Sequence, residues 1–559
     1  MSNLNGLGPQ SATVAVEFNQ TDLTRFGGLP FFVNKYIHAS GMGAKISALL
    51  ERIAPRSLSV FKYSTEAIVD QLLVSLATGY ADLNDAEVLV NDVFFSKTLA
   101  FPQVATSSTL SRFFNRFEHL CGEFQRKELA VQSKSLEDLD KADPLRVFPV
   151  PIKDLTDLTI EHAIEIVKSR TVDDFIIVDV DSTPVNLYGN QPERAFDGHY
   201  RKQCYLPILV CINGIPAIIQ NAPGATNGAK LLLLHLDVLI SKLKKHFPNK
   251  IILFRGDTGY NNNDLIEKIR LSGSFYLFGC NSAINTMRSY LLEELLEVFK
   301  KHPDEKFNIP EAVLRSLFVS DGLFAQCSQD TPKTQDELTC CTSNGKFRSC
   351  GFFYNYQAKS WSSKRTIAYR MQYNPEHGDV NIRFIQTNLS KDQILKISEQ
   401  RGLKKKRSWI NSSFETNEDD AKSSIELYEA LFSDRGQDER SNKEWKVDCF
   451  ASRCSLSGFF SNSLRMILSL VTMQFFERFR TDILQKEEPY RPAKMRAKIK
   501  PNVSRSHCAE VKRAGPVIGS IRQFLICLPA KIKCVKSKII FGFPVLQELW
   551  RNRLQILIE

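Results

Sequence analysis

The chain has 559 residues, of which 43% are hydrophobic and 24% are charged. These proportions are typical of a folded protein and exclude a disordered or low-complexity chain. The length exceeds what one hydrophobic core fills, so we expect three or four structural units, one of which can be inserted into another. The formal net charge is +11; the segment from Arg491 onward, with 15 Lys and Arg against 3 Glu, carries +12, so the rest of the chain is nearly neutral.

The chain has no pattern that directs it to a membrane or out of the cell. The first residues, MSNLNGLGPQ, do not form a basic and apolar leader, so we do not expect secretion. The most apolar stretch, 457–476, contains Arg465, Asn462 and several serines, which favours a buried helix over a bilayer span. The thirteen cysteines are odd in number and irregularly spaced, as in a chain with free thiols. We therefore expect a cytoplasmic location.

The N-terminal part is predicted to be helical. Residues 1–25 are polar and carry no periodic pattern, whereas apolar residues recur at helical spacing over 26–165. Within this α-helical domain, TSSTLSRFFNRF begins with helix-capping residues and places Arg112 and Arg116 four residues apart on one face. This helix contacts DNA or is a surface helix with two exposed arginines, and its sequence fits both readings.

The next unit, 170–285, is predicted to be an α/β sheet. Its expected elements are three strands (175–180, 205–212 and 216–222), a helix (229–247), a strand (251–257), a helix (261–273) and a strand (274–280). Acidic residues follow two of these strands, at the edge where sites of α/β sheets lie.

The rest of the chain divides into three parts. Segments such as RTIAYRMQYN and DVNIRFIQTN predict antiparallel strands, so we interpret 286–420 as a β-rich insertion. Long helices resume in 421–485. The basic region 486–559 includes RPAKMRAKIKPNVSRSH, which suits either a solvated surface or an arm along phosphates.

Three aspartates near strand ends are candidates for phosphoryl chemistry. In IIVDVDST, Asp179 and Asp181 share one face because strand side chains alternate, and Asp257 follows the strand IILFRG. The stretch DVDST matches the D-x-D-x-T loop of haloacid-dehalogenase-like phosphatases, in which Asp179 would attack phosphorus and Asp181 would act as an acid. The alternative is a two-metal nuclease site, which requires a further carboxylate from another element.

The segment 425–450 supplies such a carboxylate. If it forms one regular helix, Phe432, Arg435, Glu439 and Lys446 lie within a stripe about 60° wide, and Trp445 lies nearly opposite. An exposed helix face with an Arg and Glu pair gives the same pattern. The presence of Glu439 together with two strand-end aspartates favours a metal site over an exposed helix face.

The sequence here resembles the DDE transposases of bacterial insertion sequences, in the branch marked by Y-x2-R-x3-E-x6-K. The motif stands as F-x2-R-x3-E-x6-K, with Phe432 in place of Tyr and with Arg435, Glu439 and Lys446 matching. The resemblance extends to STLSRF, GYADLND, DVDST, YLPILV and RGDTGY, and so covers most of the chain. It implies an RNase H-like core interrupted by the β-rich insertion and preceded by the α-helical domain.

The resemblance also implies a cut-and-paste mechanism. Asp181, Asp257 and Glu439 would hold two Mg²⁺ ions, which Mn²⁺ can replace, and Asp179 would support the site or itself be the first ligand. Arg435, Lys446 and Phe432 would contact DNA.

The resemblance implies a partner and further contacts as well. Trp361 or Trp409 in the insertion would stack on a flipped base, and the alternative, which we favour for each of them, is a place in the core. The expected partner is double-stranded DNA, namely terminal inverted repeats and target, bound by at least a dimer in the nucleoid, with no membrane and no nucleotide cofactor. A degenerate copy that only binds DNA remains the alternative outside catalysis.

Overall fold

The structure is a computed structural model. It describes residues 23–90, 92, 104–132, 150–170, 173–280, 291, 339–343, 346–374, 379–400, 423, 426–433, 436–486, 516–535 and 538–559.

In the described residues, helices lie before, between and after the central strands. The α-helices are α1 Leu29–Phe32, α2 Met42–Glu51, α3 Thr65–Thr78, α4 Ala86–Val90, α5 Ser107–Gln132, α6 Val150–Lys168, α7 Gly228–His246, α8 Asn263–Leu271, α9 Lys391–Gln400, α10 Gly436–Lys443, α11 Phe459–Lys486, α12 Ile518–Ile521 and α13 Glu548–Ile558. Short π-helical segments cover Val33–His38, Glu426–Phe432, Glu444–Asp448 and Arg522–Ile526, and 3₁₀ turns cover Leu83–Asp85 and Thr258–Tyr260.

The strands in the described part of the chain form three sheets. They are β1 Leu23–Thr24, β2 Phe175–Ser182, β3 Val185–Asn186, β4 Ala195–Asp197, β5 Lys202–Tyr205, β6 Ile208–Ile212, β7 Ile215–Gln220, β8 Ile251–Gly256, β9 Phe275–Gly279, β10 Thr339–Ser343, β11 Lys346–Tyr356, β12 Arg365–Asn374, β13 Asp379–Thr387, β14 Ala530–Val535 and β15 Lys538–Gly542. Nine of them make one mixed sheet in the order β10-β11-β12-β13-β9-β8-β2-β6-β7. The chain is therefore a mixed α/β protein, as its sequence predicts.

The centre of the large sheet is built on β2. Strand β8 lies parallel to β2 and β9 parallel to β8, whereas β6 and β7 run antiparallel on the other side. Strands β10 to β13 extend the same sheet beyond β9 through antiparallel pairing. The strands of the predicted insertion thus continue the central sheet instead of packing on it as a separate layer.

Side-chain alternation in β2 gives the sheet two differently covered faces. Ile176, Val178 and Val180 point to the face covered by the apolar residues of α6, α7 and α8. Phe175 and Ile177 point to the other face, where they pack with residues of the segment 426–432. Because Asp179 and Asp181 alternate with the first set, they lie on this second face.

A second core lies among the helices. The helix α11 is buried over most of its length, and its residues cluster with those of α1, α2, α3 and α5. This is the apolar stretch for which the sequence predicts a buried helix. Ile518, Leu525 and Leu557 belong to the same cluster, so much of the C-terminal segment 516–559 packs into the fold. The stretch RPAKMRAKIKPNVSRSH lies outside the described residues.

The late helical segment is not one regular α-helix. It consists of the π segment Glu426–Phe432, then α10, then the π segment Glu444–Asp448, whose i→i+5 spacing appears in the bond from the Cys449 N–H to the Glu444 carbonyl (2.8 Å). A uniform 100° per residue does not hold across these changes. The prediction of a single regular stripe from Phe432 to Lys446 was therefore wrong in this detail.

Candidate active site

Two of the predicted aspartates end neighbouring parallel strands. The pairing of β2 with β8 runs to Val180 opposite Gly256, so Asp181 and Asp257 each follow one residue later. Asp257 is exposed, and its Oδ1 accepts a hydrogen bond from the Gly259 N–H (2.9 Å), which caps a short 3₁₀ turn. Asp181 is half-buried. The two carboxylates therefore stand side by side at the carboxyl edge of the parallel strands.

Asp179 has a different environment from Asp181. It is 6% exposed, and the fully buried Arg255 donates to both of its oxygens, from Nε to Oδ1 (2.5 Å) and from Nη2 to Oδ2 (2.8 Å). The remaining nitrogen of Arg255, Nη1, donates to the Leu431 carbonyl. A bidentate pair of this kind fixes both partners. Arg255 thus joins both Asp179 and the sheet to the segment 426–432, which precedes α10.

The helix that carries Glu439 packs on the face that carries the aspartates. Leu209 lies opposite Asp181 and Cys211 opposite Asp179 across the antiparallel pair, and opposite residues share a face. Leu209 and Cys211 belong to the same apolar cluster as Trp445, which is fully buried just after α10. Trp445 therefore anchors the end of this segment in the core.

A direct hydrogen bond joins α10 to Asp181. Asn442 lies three residues after Glu439, and its Nδ2 donates to Asp181 Oδ2 (2.5 Å). The backbone of Glu439 is part of α10, whereas its side chain lies outside the described residues. Residues three apart share one face of a helix. The Glu439 position is therefore on the face that meets Asp181.

Lys446 is a cation close to this site. Burial lowers the pKa of the Lys446 ammonium, and the nearby Asp181 carboxylate opposes that shift. Phe432 is half-buried and its ring packs against Tyr428 at a centroid distance of 5.7 Å. Arg435 lies outside the described residues. Of the motif's two cations, the structure thus places Lys446, within the electrostatic reach of Asp181.

A buried chain of ion pairs holds the end of this helical segment. Glu444 is 3% exposed and accepts hydrogen bonds from Arg480 Nη1 to Oε2 (2.9 Å) and from Arg480 Nη2 to Oε1 (2.5 Å). Arg480 also donates to Glu477, which in turn accepts from Arg170 Nη2 (2.9 Å). Although burial by itself raises the pKa of Glu477, Arg480 and Arg170 lower it overall. These contacts tie the segment 436–448 to α11 and to Arg170, which follows α6.

Sequence reasoning missed Tyr200, which lies beside the aspartates. Tyr200 is 37% exposed in the turn between β4 and β5, and its backbone N–H donates to Asp197 Oδ1 (2.8 Å). Burial, followed by the charges of Asp181 and Asp257, raises the pKa of its phenol. The phenol is therefore a potential hydrogen-bond donor within the electrostatic influence of both aspartates. The surrounding GHYR carries no pattern that identifies this residue.

The predicted DNA contacts outside the site lie in varied environments. Arg112 is exposed on α5, where its Nε donates to the Ser108 carbonyl (3.1 Å). Arg116 is half-buried, donates to the Pro55 carbonyl (3.0 Å) and covers the ring of Phe61. Arg112 is thus available to a phosphate, whereas Arg116 is held by protein contacts.

The tryptophan predicted to stack on a base is buried in this structure. Trp361 is 5% exposed, and the guanidinium of Arg365 lies over its ring at 4.2 Å. Tyr356 packs edge-on against the same ring. Stacking on a nucleobase would require this buried ring to become exposed. Trp409 lies outside the described residues.

The donor set at the strand ends suits a hard divalent cation. Asp181 and Asp257 offer carboxylate oxygens, the ligand type that Mg²⁺ and Mn²⁺ take, and the carbonyl Oδ1 of Asn442 is buried without a hydrogen-bond partner in the described part of the chain. Among the residues whose side chains are described, no three His, Cys, Asp or Glu form a group that could hold a metal. The Glu439 side chain is not among them. The described residues therefore fit a divalent ion but form only part of its ligand set.

The fold is that of an α/β protein with an acidic site at the carboxyl ends of its parallel strands. A late helical segment packs over this site. A model of the family described as transposase DDE domain, group 1, matches residues 9–500. Because this match spans most of the chain, the protein belongs to the DDE transposase family. The resemblance in the sequence is thus confirmed.

Family membership carries general consequences for activity. DDE transposases are enzymes that cleave DNA and transfer its strands, and they use divalent metal ions. A comparison with curated proteins gave no match. No helix in the described part of the chain is long and apolar enough to cross a membrane.

Proposed function

We propose that this protein is a cut-and-paste transposase that cleaves the ends of its own insertion sequence and joins them to target DNA. Its site would consist of Asp181, Asp257 and Glu439, which together hold two Mg²⁺ ions, or Mn²⁺ in their place. The observation that carries this proposal is the bond from Asn442 on α10 to Asp181. It supports a site in which a helix whose Asn442 lies 261 residues beyond Asp181 returns to the strand ends.

The topology supports an RNase H-like core. Numbered in chain order, the five central strands β2, β6, β7, β8 and β9 lie in the order 3-2-1-4-5, with the second antiparallel to the first. In this arrangement the first and fourth strands are parallel neighbours, and their carboxyl ends present Asp181 and Asp257. We propose 170–285 and 421–485 as the two parts of this core, 286–420 as its insertion, and 26–165 as the preceding DNA-binding domain.

The residues would divide the work as follows. Bound divalent ions would supply Lewis acidity at the attacked phosphate and lower the pKa of the attacking hydroxyl. Asp181, Asp257 and Glu439 would hold the ions, and Asp179, fixed by Arg255, would keep β2 in register with β8. Lys446 and Arg435 would bind phosphates next to the scissile bond, and Tyr200 would donate its phenolic hydrogen to a phosphate oxygen.

DNA would be bound over a wider surface than the site. Arg112 is exposed on α5 and is suited to a phosphate contact, whereas Arg116 would have to exchange its contacts with Pro55 and Phe61. The basic segment from Arg491 onward would add affinity that falls with salt and does not depend on sequence. Cleaving two ends together requires at least a dimer on DNA, and the site of action would be the nucleoid.

The phosphatase alternative does not fit the environment of Asp179. That reading makes Asp179 the nucleophile, yet Asp179 is 6% exposed and both of its oxygens accept hydrogen bonds from Arg255. A phosphate could not approach either oxygen without displacing a buried guanidinium. This environment supports Asp179 as a structural partner of Arg255 and argues against the phosphatase reading of the D-x-D-x-T match.

The test is metal-dependent nicking of duplexes made from the DNA that flanks the coding region. We expect Mg²⁺ or Mn²⁺ to support nicking, and Asp181→Asn, Asp257→Asn and Glu439→Gln each to abolish it. Asp174→Asn is the matched control, because Asp174 immediately precedes β2 and so lies at its opposite end. DNA binding without nicking under either metal would indicate a degenerate copy and would overturn the catalytic proposal.

A further inference from the structure

Asn442 occupies an unusual position beside the candidate site. It is 8% exposed, its Nδ2 donates to Asp181 Oδ2, and its Oδ1 is buried without a hydrogen-bond partner in the part of the chain that the structure describes. Neither the F-x2-R-x3-E-x6-K motif nor any other sequence pattern selects this residue.

The chemistry of an amide explains what this contact does for Asp181. A donor on one carboxylate oxygen fixes the plane of the carboxyl group, which otherwise rotates about its terminal torsion. The amide is neutral, so it orients the carboxylate without competing with a cation for it, as an Arg or Lys would. The bond also fixes the distance between β2 and α10, the helix that carries Glu439.

The buried Oδ1 is a second, independent observation. A buried carbonyl oxygen without a donor costs free energy, and such groups in folded proteins are commonly explained by an absent water or ion. This oxygen belongs to the same side chain that touches Asp181. The amide therefore combines a bond to Asp181 with a buried acceptor that the described residues leave unsatisfied.

We propose that Asn442 is a positioning residue that sets the orientation of Asp181 toward a divalent cation and holds α10 against the strand end. This inference rests on the proposed function, because it takes Asp181 to be a metal ligand. Asn442 acts through Asp181, and its Oδ1 would accept a hydrogen bond from a water molecule of the bound ion.

The experiment measures Mn²⁺ binding to the full chain by electron paramagnetic resonance, using Mn²⁺ alone as the probe. Residues that orient a metal ligand typically contribute about 10-fold to 100-fold in metal affinity. We expect Asn442→Ala to weaken Mn²⁺ binding by about that factor and to raise the Mn²⁺ concentration for half-maximal nicking in parallel. DNA binding in EDTA should remain at the wild-type level.

Two further variants separate positioning from folding. Asn221→Ala is the matched control, since Asn221 is a 2% exposed amide whose Nδ2 donates to Ser463 Oγ (3.1 Å) instead of to a site carboxylate. It should lower the melting temperature and leave Mn²⁺ binding unchanged. If Asn442→Ala does not fold, Asn442→Ser, which keeps a small donor, replaces it and should show a smaller loss of Mn²⁺ affinity.

The outcomes distinguish this inference from the proposed function. Mn²⁺ binding that is unchanged in a folded Asn442 variant but lost in Asp181→Asn would overturn the inference and leave the proposed function in place. An equal loss of Mn²⁺ affinity in Asn221→Ala would also overturn it, by assigning the effect to general destabilisation. Mn²⁺ binding and nicking that survive Asp181→Asn would overturn the proposed function itself.

Discussion

Replacing Glu444 with Gln would test how the end of the late helical segment is held in place. Glu444 bonds to Arg480 through both carboxylate oxygens, lies 3.4 Å from Arg440 Nε, and accepts from the Ile518 N–H (3.3 Å). The substitution preserves the volume of the side chain and removes its charge. Arg480, 2% exposed, would then face an amide in place of a carboxylate.

The expected loss follows from the burial of the pair. Breaking a buried ion pair by removing one partner costs about 3–5 kcal/mol, because the other charge is left in a medium of low polarity. Glu477 still faces Arg480, and Gln retains one acceptor, so we expect about 2–3 kcal/mol. At an unfolding entropy of about 2.1 cal/mol/K per residue, that corresponds to roughly 2 °C if all 559 residues unfold together.

The assay is a double-mutant cycle read by urea denaturation. Glu444→Gln, Arg480→Met and the double variant are compared with the wild type, and the double variant should lose at least about 1 kcal/mol less than the sum of the single losses. Asp237→Asn is the control, since its pair with Lys268 is as short (2.6 Å) but is exposed. It should cost less than about 1 kcal/mol.

Two results would refute this reasoning. One is a loss for Glu444→Gln no larger than that of the exposed Asp237 control, which would mean that the buried pair contributes little. The other is strict additivity in the cycle, which would mean that Glu444 and Arg480 stabilise the fold independently. Nicking activity should fall with Glu444→Gln because α10 loses its support. Unchanged nicking in a variant that shows the full expected loss of stability would mean that the Glu444–Arg480 pair does not affect the site.

Two further predictions concern other parts of the fold. Burial, and then the charge of Glu66, raise the pKa of Asp70 to about 6, so the folded state favours its neutral form. That stabilising contribution is fully present below about pH 4 and is lost as the pH rises through about 6. Urea denaturation should therefore show Asp70→Asn to be about 1–3 kcal/mol more stable than the wild type near pH 7.5 and equal to it near pH 4, and a pH-independent difference would contradict the assignment. Gly79 has φ +100°, and a Cβ there would lie 2.9 Å from Arg522 Cδ, whereas Gly273 has φ +74° and open space around it. Left-handed strain alone should make Gly273→Ala cost about 1–2 kcal/mol, and Gly79→Ala should cost more. Equal melting temperatures for the two variants would show that the Arg522 side chain moves aside at little cost in free energy.

The sequence by itself determined the elements and the two strand-end aspartates. Hydrophobic runs of strand length and amphipathic helices of period 3.6 are local signals, so they predicted the alternation of strands and helices from 175 to 280. The apolar run that forms α11 was assigned to the core because Arg465 and Asn462 interrupt it, and both are buried there. Asp181 and Asp257 were placed at strand ends by the same local reading.

The tertiary structure decided what the residues around those aspartates do. Asp179 and Asp181 are equivalent in the sequence pattern, and only the parallel pairing of β2 with β8 brings Arg255 to Asp179 and leaves Asp181 beside Asn442. Tyr200 likewise reaches the site through the fold of a turn that has no sequence signature. These contacts join residues that are far apart in the chain. The local spacing of apolar residues carries no information about which distant side chain contacts a given residue.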